Sequence, residues 1–363
     1  MFTTKLKWTI LIYSILFVLI TSSCKKTNEG KIVFQSNQEG AYKLYIMNTD
    51  GSNRQNLADY PKGKFPPTGH TGFVPSPDGN SLAFFSDENG NFEIYSLDIE
   101  RKLLSNLTKH EANDTLFAWS PNGEHIAFVS ERDANLINLE HDTWTNNIYI
   151  MNSDGTNVQR LTTNNKTYSF GELSWSPDSH ELVFSIITYI SNTTPVSVIG
   201  ALDLEDTNVV ILTSPSGVAQ SSPAWSPDQR NIMYLDKIAG SNNIHIINGD
   251  GTGNRALLVD SLGSITTAAW SPDGSKILFS SLKLREETST IYIVDVESAK
   301  LEVLSEQSNY DTSPSWSPDG NYIVFASKRD KDEFHLYIMN FDGTDERQVT
   351  NGPDEEAAPI WLP

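Results

Sequence analysis

Five residues ahead of a recurring Trp-Ser-Pro sequence, several side chains stand where they could do chemistry. The positions hold His70, Asp114, Phe170, Gln220, Ile265, Asp311 and Glu356. Three carboxylates and one imidazole at one repeat position suit two purposes. Gathered around an opening, they could hold a cation or a cationic ligand group. Paired at the right separation, carboxylates could serve as the acid and base of glycoside chemistry. Motifs for other reactions are missing: no Gly-x-Ser-x-Gly nucleophile elbow occurs. His110-Glu111 and His180-Glu181 begin like a zinc helix, but the residues four past each His are Asp114 and Phe184. Gly249-x-Gly251-x-Gly253 falls in a hairpin turn rather than ahead of a helix. The reading is therefore no metal centre and no cofactor, with a weakly held cation among the acids as the one exception.

What must position these residues is a repeated unit. Trp119-Ser-Pro-Asn-Gly, Trp175-Ser-Pro-Asp-Ser, Trp225-Ser-Pro-Asp-Gln, Trp270-Ser-Pro-Asp-Gly and Trp316-Ser-Pro-Asp-Gly are its copies. Pro75-Ser-Pro-Asp-Gly is a copy without the Trp, and Trp361-Leu-Pro is a last, partial one. In each unit a first strand ends at the Trp, and Pro, Asp and Gly then supply a tight turn. A second strand such as Ile323-Val-Phe follows, and an alternating third strand such as Leu336-Tyr-Ile-Met-Asn comes after it. Asp-Gly turns (Asp50-Gly51, Asp154-Gly155, Asp250-Gly251, Asp342-Gly343) lead to a fourth strand. Four short antiparallel strands per unit make a propeller blade.

Second strands fall near Val33, Ala83, Ala127, Val183, Met233, Leu278 and Val324, which gives seven blades. The first unit lacks a first strand, and the C-terminus offers one, Ala358-Pro-Ile-Trp361, with no blade after it. The expectation is an all-β, seven-bladed propeller of four-stranded antiparallel blades over residues 31–363, closed by the C-terminal innermost strand joining the N-terminal blade. The pattern Trp-Ser-Pro-Asp-Gly, Ile-x-Phe, Ile-Tyr-x-Met-Asn-x-Asp-Gly, Arg-x-Leu-Thr resembles the PD40 (WD40-like) repeats of TolB-type propellers. That resemblance covers about residues 30–363. It implies the fold, and it leaves function among binding scaffolds, protease gates and polysaccharide lyases.

With 26 Lys+Arg against 46 Asp+Glu, the chain carries a formal charge of −20, which argues against nucleic acid as a partner. Its single cysteine, Cys24, excludes a disulfide framework. Residues 1–23 have Lys5 and Lys7, then an apolar run over 10–20 and small residues, the layout of a secretory signal peptide. Thr21-Ser22-Ser23-Cys24 resembles the lipobox of bacterial lipoproteins, with Thr21 departing from the usual Leu. The resemblance implies cleavage before Cys24, lipidation of its thiol and residues 24–30 as a linker. It also implies residence in the cell envelope, anchored to the outer membrane, on the periplasmic side or at the surface.

Strand alternation puts the tight turns on one face and every long connection on the other. Loops gathered on one face are a binding surface, with Arg132, His141, Trp144 and Tyr168 as its candidate residues. The channel-mouth candidates are His70, Asp114, Asp311 and Glu356. The function expected is a monomeric, lipid-anchored scaffold that binds an envelope protein, peptide or glycan through its long-loop face. The alternative is a carbohydrate-active enzyme, lyase or glycoside hydrolase, using the channel-mouth carboxylates.

Overall fold

The computed structural model describes residues 30–38, 42–59, 72–133, 146–163, 168–191, 194–214, 219–238, 241–258, 262–283, 285–306, 309–329 and 333–363. Among them there are strands and no α-helix. The first sheet begins with β1 (Lys31–Ser36), β2 (Lys43–Asn48) and β3 (Gln55–Asp59). The second is β4 (Phe73–Pro75), β5 (Ser81–Ser86), β6 (Glu93–Asp98) and β7 (Leu103–Asn106). The third is β8 (Asp114–Trp119), β9 (His125–Ser130), β10 (Asn147–Asn152) and β11 (Gln159–Arg160). The fourth is β12 (Tyr168–Trp175), β13 (Glu181–Ser191), β14 (Thr194–Asp203) and β15 (Val209–Ile211). The fifth is β16 (Gln220–Trp225), β17 (Asn231–Ile238), β18 (Ser241–Asn248) and β19 (Arg255–Leu258).

The last sheet has eight strands in two halves. One half is β20 (Ser264–Trp270), β21 (Lys276–Lys283), β22 (Thr288–Asp295) and β23 (Leu301–Val303). The other is β24 (Tyr310–Trp316), β25 (Tyr322–Lys328), β26 (His335–Asn340) and β27 (Arg347–Gln348). A single parallel pair, Ser289 with Tyr310, joins them. The final strand, β28 (Glu356–Trp361), lies antiparallel to β1, with Trp361 opposite Ile32 and Glu356 opposite Ser36.

Sheets stacked face to face bury their second strands on both sides, so those strands are near-continuous apolar runs. Ile32-Val33-Phe34, Leu82-Ala83-Phe84 and Ile323-Val324-Phe325 are each 0% exposed. Alternation along the strand sends neighbours to opposite partners. Ile32 and Phe34 join Val324, Ile338 and Trp361 in one cluster, while Val33 joins Phe73, Leu82 and Phe84 in another. Each buried side chain of this size contributes about 1.5–3 kcal/mol. Fourth strands are sheet edges, and β7, β11 and β27 are largely exposed.

The repeated Trp has a packing reason. Trp175 and Trp270 lie against the preceding sheet, and their Nε1 groups donate to the carbonyls of Ala118 and Ala224 at 3.0 Å. Trp361 fills the same kind of place between the β24–β27 half and the first sheet. The second sheet has Pro75 instead of Trp, and Leu362 fills the cluster between the first and second sheets.

The Ser-Pro-Asp-Gly turn is held by side chains as well as by Pro and Gly. Ser317 Oγ donates to Asp319 Oδ1 at 2.6 Å and accepts from the Tyr322 N–H at 2.9 Å, while Asp319 Oδ1 accepts from the Asn321 N–H. Gly320 has φ +70°. That left-handed region favours glycine. Ser179 and Gln229 adopt it in the two copies that lack the glycine.

Candidate functional site

Each first strand begins at the end of its sheet from which the long connections leave. Asp114 opens β8 opposite Ser130, Asp311 lies opposite Ser327 in β24, and Glu356 opens β28 opposite Ser36. All three carboxylates are 0% exposed. Each is paired with an arginine. Arg132 Nη2 stands 2.7 Å from Asp114 Oδ2, Arg329 Nη2 3.6 Å from Asp311 Oδ1, and Arg54 Nη1 2.9 Å from Glu356 Oε1. The facing serine completes the contact: Arg132 Nε donates to Ser130 Oγ at 3.0 Å, Arg329 Nε to Ser327 Oγ at 2.7 Å and Arg54 Nη2 to Ser36 Oγ at 2.8 Å.

The guanidinium also caps a cross-strand aromatic pair. Arg132 lies 5.2 and 5.0 Å from the ring centres of Phe128 and Tyr149. Arg54 lies 5.1 and 4.7 Å from Phe34 and Tyr45, and Arg329 lies 5.8 and 4.2 Å from Phe325 and Tyr337. Such a cation over a ring face is attracted by the ring quadrupole, more so when partly desolvated. Acid, serine and ring pair thus form a cradle for one guanidinium, built three times.

Burial pushes the Asp114 and Asp311 carboxyls up, against the pull of Arg132 and Arg329. Glu356 has further partners from the β24–β27 half: His335 Nδ1 at 2.8 Å and the Thr350 hydroxyl at 3.2 Å, both on Oε2. Arg329 also forms a two-pronged contact with Glu346. Its guanidinium, though partly buried, is pushed up by Glu346 and Asp311.

Asp114, Asp311 and Glu356, expected around an opening, are buried, each beside its own arginine. Arg132, expected on the loop face, is one of those arginines, and 13% of its side chain is exposed. His70, His141 and Trp144 lie outside the described residues, as do Cys24 and the 1–23 segment. Tyr168 opens β12 opposite Thr188. Among the described residues no group of three or more His, Cys, Asp or Glu is placed to hold a metal ion.

Of the three arginines, only Arg132 was a candidate in the sequence, and as a loop-face residue. A signal exists for two of them, since Ser130-Glu131-Arg132 and Ser327-Lys328-Arg329 share a Ser-x-Arg spacing after the second strand. Arg54 reaches the same place from the turn ahead of β3, and no local spacing reveals that. At the opposite, tight-turn end, a cleft of about 420 Å³ opens between the second and third sheets beside Asp78, Trp119 and Asn122. Its polar groups serve their own turns, Asp78 accepting from Ser76 and Asn122 from Ser120.

Known proteins share this architecture. The chain is similar to TolB from Acinetobacter baumannii, at 20% identity and a TM-score of 0.57, covering 92% of this chain and 67% of that one. It is similar to an oligogalacturonate lyase solved in complex with manganese, at 17% identity and a TM-score of 0.64, covering 90% and 86%. At such identities the likeness establishes the fold alone. The uncharacterized protein Atu1656 of Agrobacterium fabrum is 28% identical over 171 residues, 44% of this chain. Those residues are 52% of that protein, so the chain spans about half the length of the curated relative it matches. The family model of the TolB beta propeller domain, PD40, matches residues 68–261 and 187–363, and with its repeated four-stranded antiparallel sheets the chain belongs to the TolB β-propeller family.

Proposed function

We propose that this chain is an exported, lipid-anchored binding scaffold of the bacterial envelope, a seven-bladed propeller that takes a protein, peptide or glycan partner on its long-loop face. The β28–β1 pairing and the cluster shared by the first sheet and the β24–β27 half support closure of the ring. The signal-like 1–23 segment and the lipobox-like residues before Cys24 support export and anchoring.

One observation favours binding over catalysis. The carboxylates available for acid–base chemistry at the strand ends are buried and engaged by arginines, which withholds them from proton transfer to a substrate. The test is affinity capture from detergent-solubilised envelopes with the full chain and with Trp144→Ala. Capture of one partner by the parent and its loss in the variant is the expected result. Equal capture by both removes the loop face from the reading. Loss of radiolabelled palmitate incorporation in Cys24→Ser tests the anchor.

A second reading, a carbohydrate-active enzyme, has one observation in its favour. Burial pushes Asp114 and Asp311 up, as a general acid requires. Product formation from defined polysaccharides, abolished by Asp114→Asn or Asp311→Asn, would establish it in place of binding.

A further inference from the structure

The cleft between the second and third sheets has a cause in the sequence. Leu82, Phe84, Tyr95 and Leu97 pack in the cluster shared with the first sheet, so strand alternation turns Ala83, Ile94 and Ser96 toward the third. Ile94 packs there with Ile126, Phe128 and Met151. Ser96 lies opposite Ala83 on the neighbouring strand. The corresponding third-strand residues of the other sheets are Ile46, Ile150, Ala201, Ile246, Ile293 and Ile338. Each of these joins the apolar cluster against the following sheet. The second sheet alone has a small hydroxyl residue at this place, and space opens beside it.

That space is mixed in chemistry. Its volume of about 420 Å³ falls in the range usual for small-ligand clefts, about 300–1,000 Å³. Trp119 forms part of the wall and is only partly buried, whereas Trp175, Trp225, Trp316 and Trp361 at the same repeat position are at most 9% exposed. Asp78 and Asn122, at the rim, spend Oδ1 on the N–H groups of their own turns. The hydroxyls of Ser81, Ser96 and Ser153 line the cleft as well, and none of them is hydrogen-bonded to another described residue. Each can donate and accept at once. An aromatic ring beside several unspent hydroxyls suits a sugar, which offers a C–H face and a polar rim. Hydrogen bonds from Ser76 and Asn80 keep the Asp78 carboxyl below its ordinary range, and the chain carries a charge of −20. That field disfavours an anionic sugar.

We propose that this cleft binds a neutral sugar unit of a glycan, its C–H face on the Trp119 ring and its hydroxyls on Ser81, Ser96 and Ser153. The site lies at the tight-turn end of the sheets, away from the long-loop face, and does not depend on the binding role proposed above.

The test is titration of the full chain, without its leader, with methyl glucoside, methyl galactoside, methyl mannoside and chitobiose, and with digalacturonate as the charged control. Calorimetry reads the affinity, and the Trp119 indole N–H resonance, assigned through Trp119→Phe, reads the place. Saturable binding of at least one neutral sugar that shifts this resonance is expected, with digalacturonate about tenfold weaker or worse. Ser96→Ile supplies the side chain that five other sheets carry at this position. It should fill the cleft and abolish binding in a protein of unchanged thermal stability or better. Ser96→Ala keeps the space and removes one hydroxyl, so it should weaken binding only about threefold to tenfold. Binding of none of the four sugars, an unmoved Trp119 resonance, digalacturonate bound as tightly, or indifference to both Ser96 substitutions overturns the proposal.

Discussion

Glu356 and Arg54, 302 residues apart in sequence, meet at 2.9 Å across the junction of the last strand with the first sheet. The carboxylate is fully buried and 23% of the arginine side chain is exposed. The pair therefore ties the two ends of the propeller at a point where neither charge is well solvated.

Removing one partner should cost more than removing both. Arg54→Met leaves Glu356 buried with only His335 and Thr350, an expected loss of about 3 kcal/mol. Arg54→Met with Glu356→Leu should recover most of that loss, because the uncompensated charge is gone. Denaturant melts of the three proteins measure it, and a double variant as weak as the single one would show that the rings and serine, rather than the charges, hold the junction.

The β28–β1 register makes a covalent test. Val33 and Ile360 are facing partners. Val33→Cys with Ile360→Cys, in a Cys24→Ser background, should cross-link on mild oxidation and run as a compact species. A loop that long should add about 3 kcal/mol or more against unfolding. Failure to cross-link would break the pairing on which closure rests.

Acid should unfold the protein through its turns. The Ser271 hydroxyl and the Ser275 N–H hold Asp273 below the ordinary carboxylate range. Ser298 and Lys276 bring Asp295 to about 2. Unfolded aspartates titrate near about 3.9, so the unfolded chain takes up these protons first. Stability from these groups is complete above pH of about 5 and is lost as pH falls toward about 2. Asp114 and Asp311, pushed up by burial, work in the opposite sense, and their contribution declines as pH rises through their folded values. Asp273→Asn with Asp295→Asn should lower the melting temperature at pH 7 and converge with the parent near pH 2. Parallel melting curves over that range would contradict the assignment.

Gly320→Ala isolates the cost of the left-handed turn. An added Cβ would meet nothing closer than Pro272 Cδ at 3.5 Å, so the penalty is conformational. A loss of about 1 kcal/mol is expected. Gln229→Gly, at the same turn position in the fifth sheet with φ +59°, should give a small gain. The difference between the two, read by thermal denaturation, tests whether one turn geometry serves every copy.

The residues that identify a blade act locally, and for that reason they were legible without coordinates. Proline and glycine at Pro318 and Gly320 set the turn dihedrals, and strand periodicity separates Ile32 from Val33. The apolar second strands and the repeated Trp positions therefore lie where their spacing places them. The arginine cradles were another matter. Arg54 and Arg132 occupy different places in their units yet fill equivalent sites, and only the stacking of strands brings them there. Whether a carboxylate at a strand end faces water or an arginine depends on what the neighbouring chain covers. Composition and order established the repeated unit, because backbone preferences belong to short segments. Tertiary structure alone decided that Asp114, Asp311 and Glu356 are inside and engaged, because burial and charge pairing are properties of segments far apart in the chain.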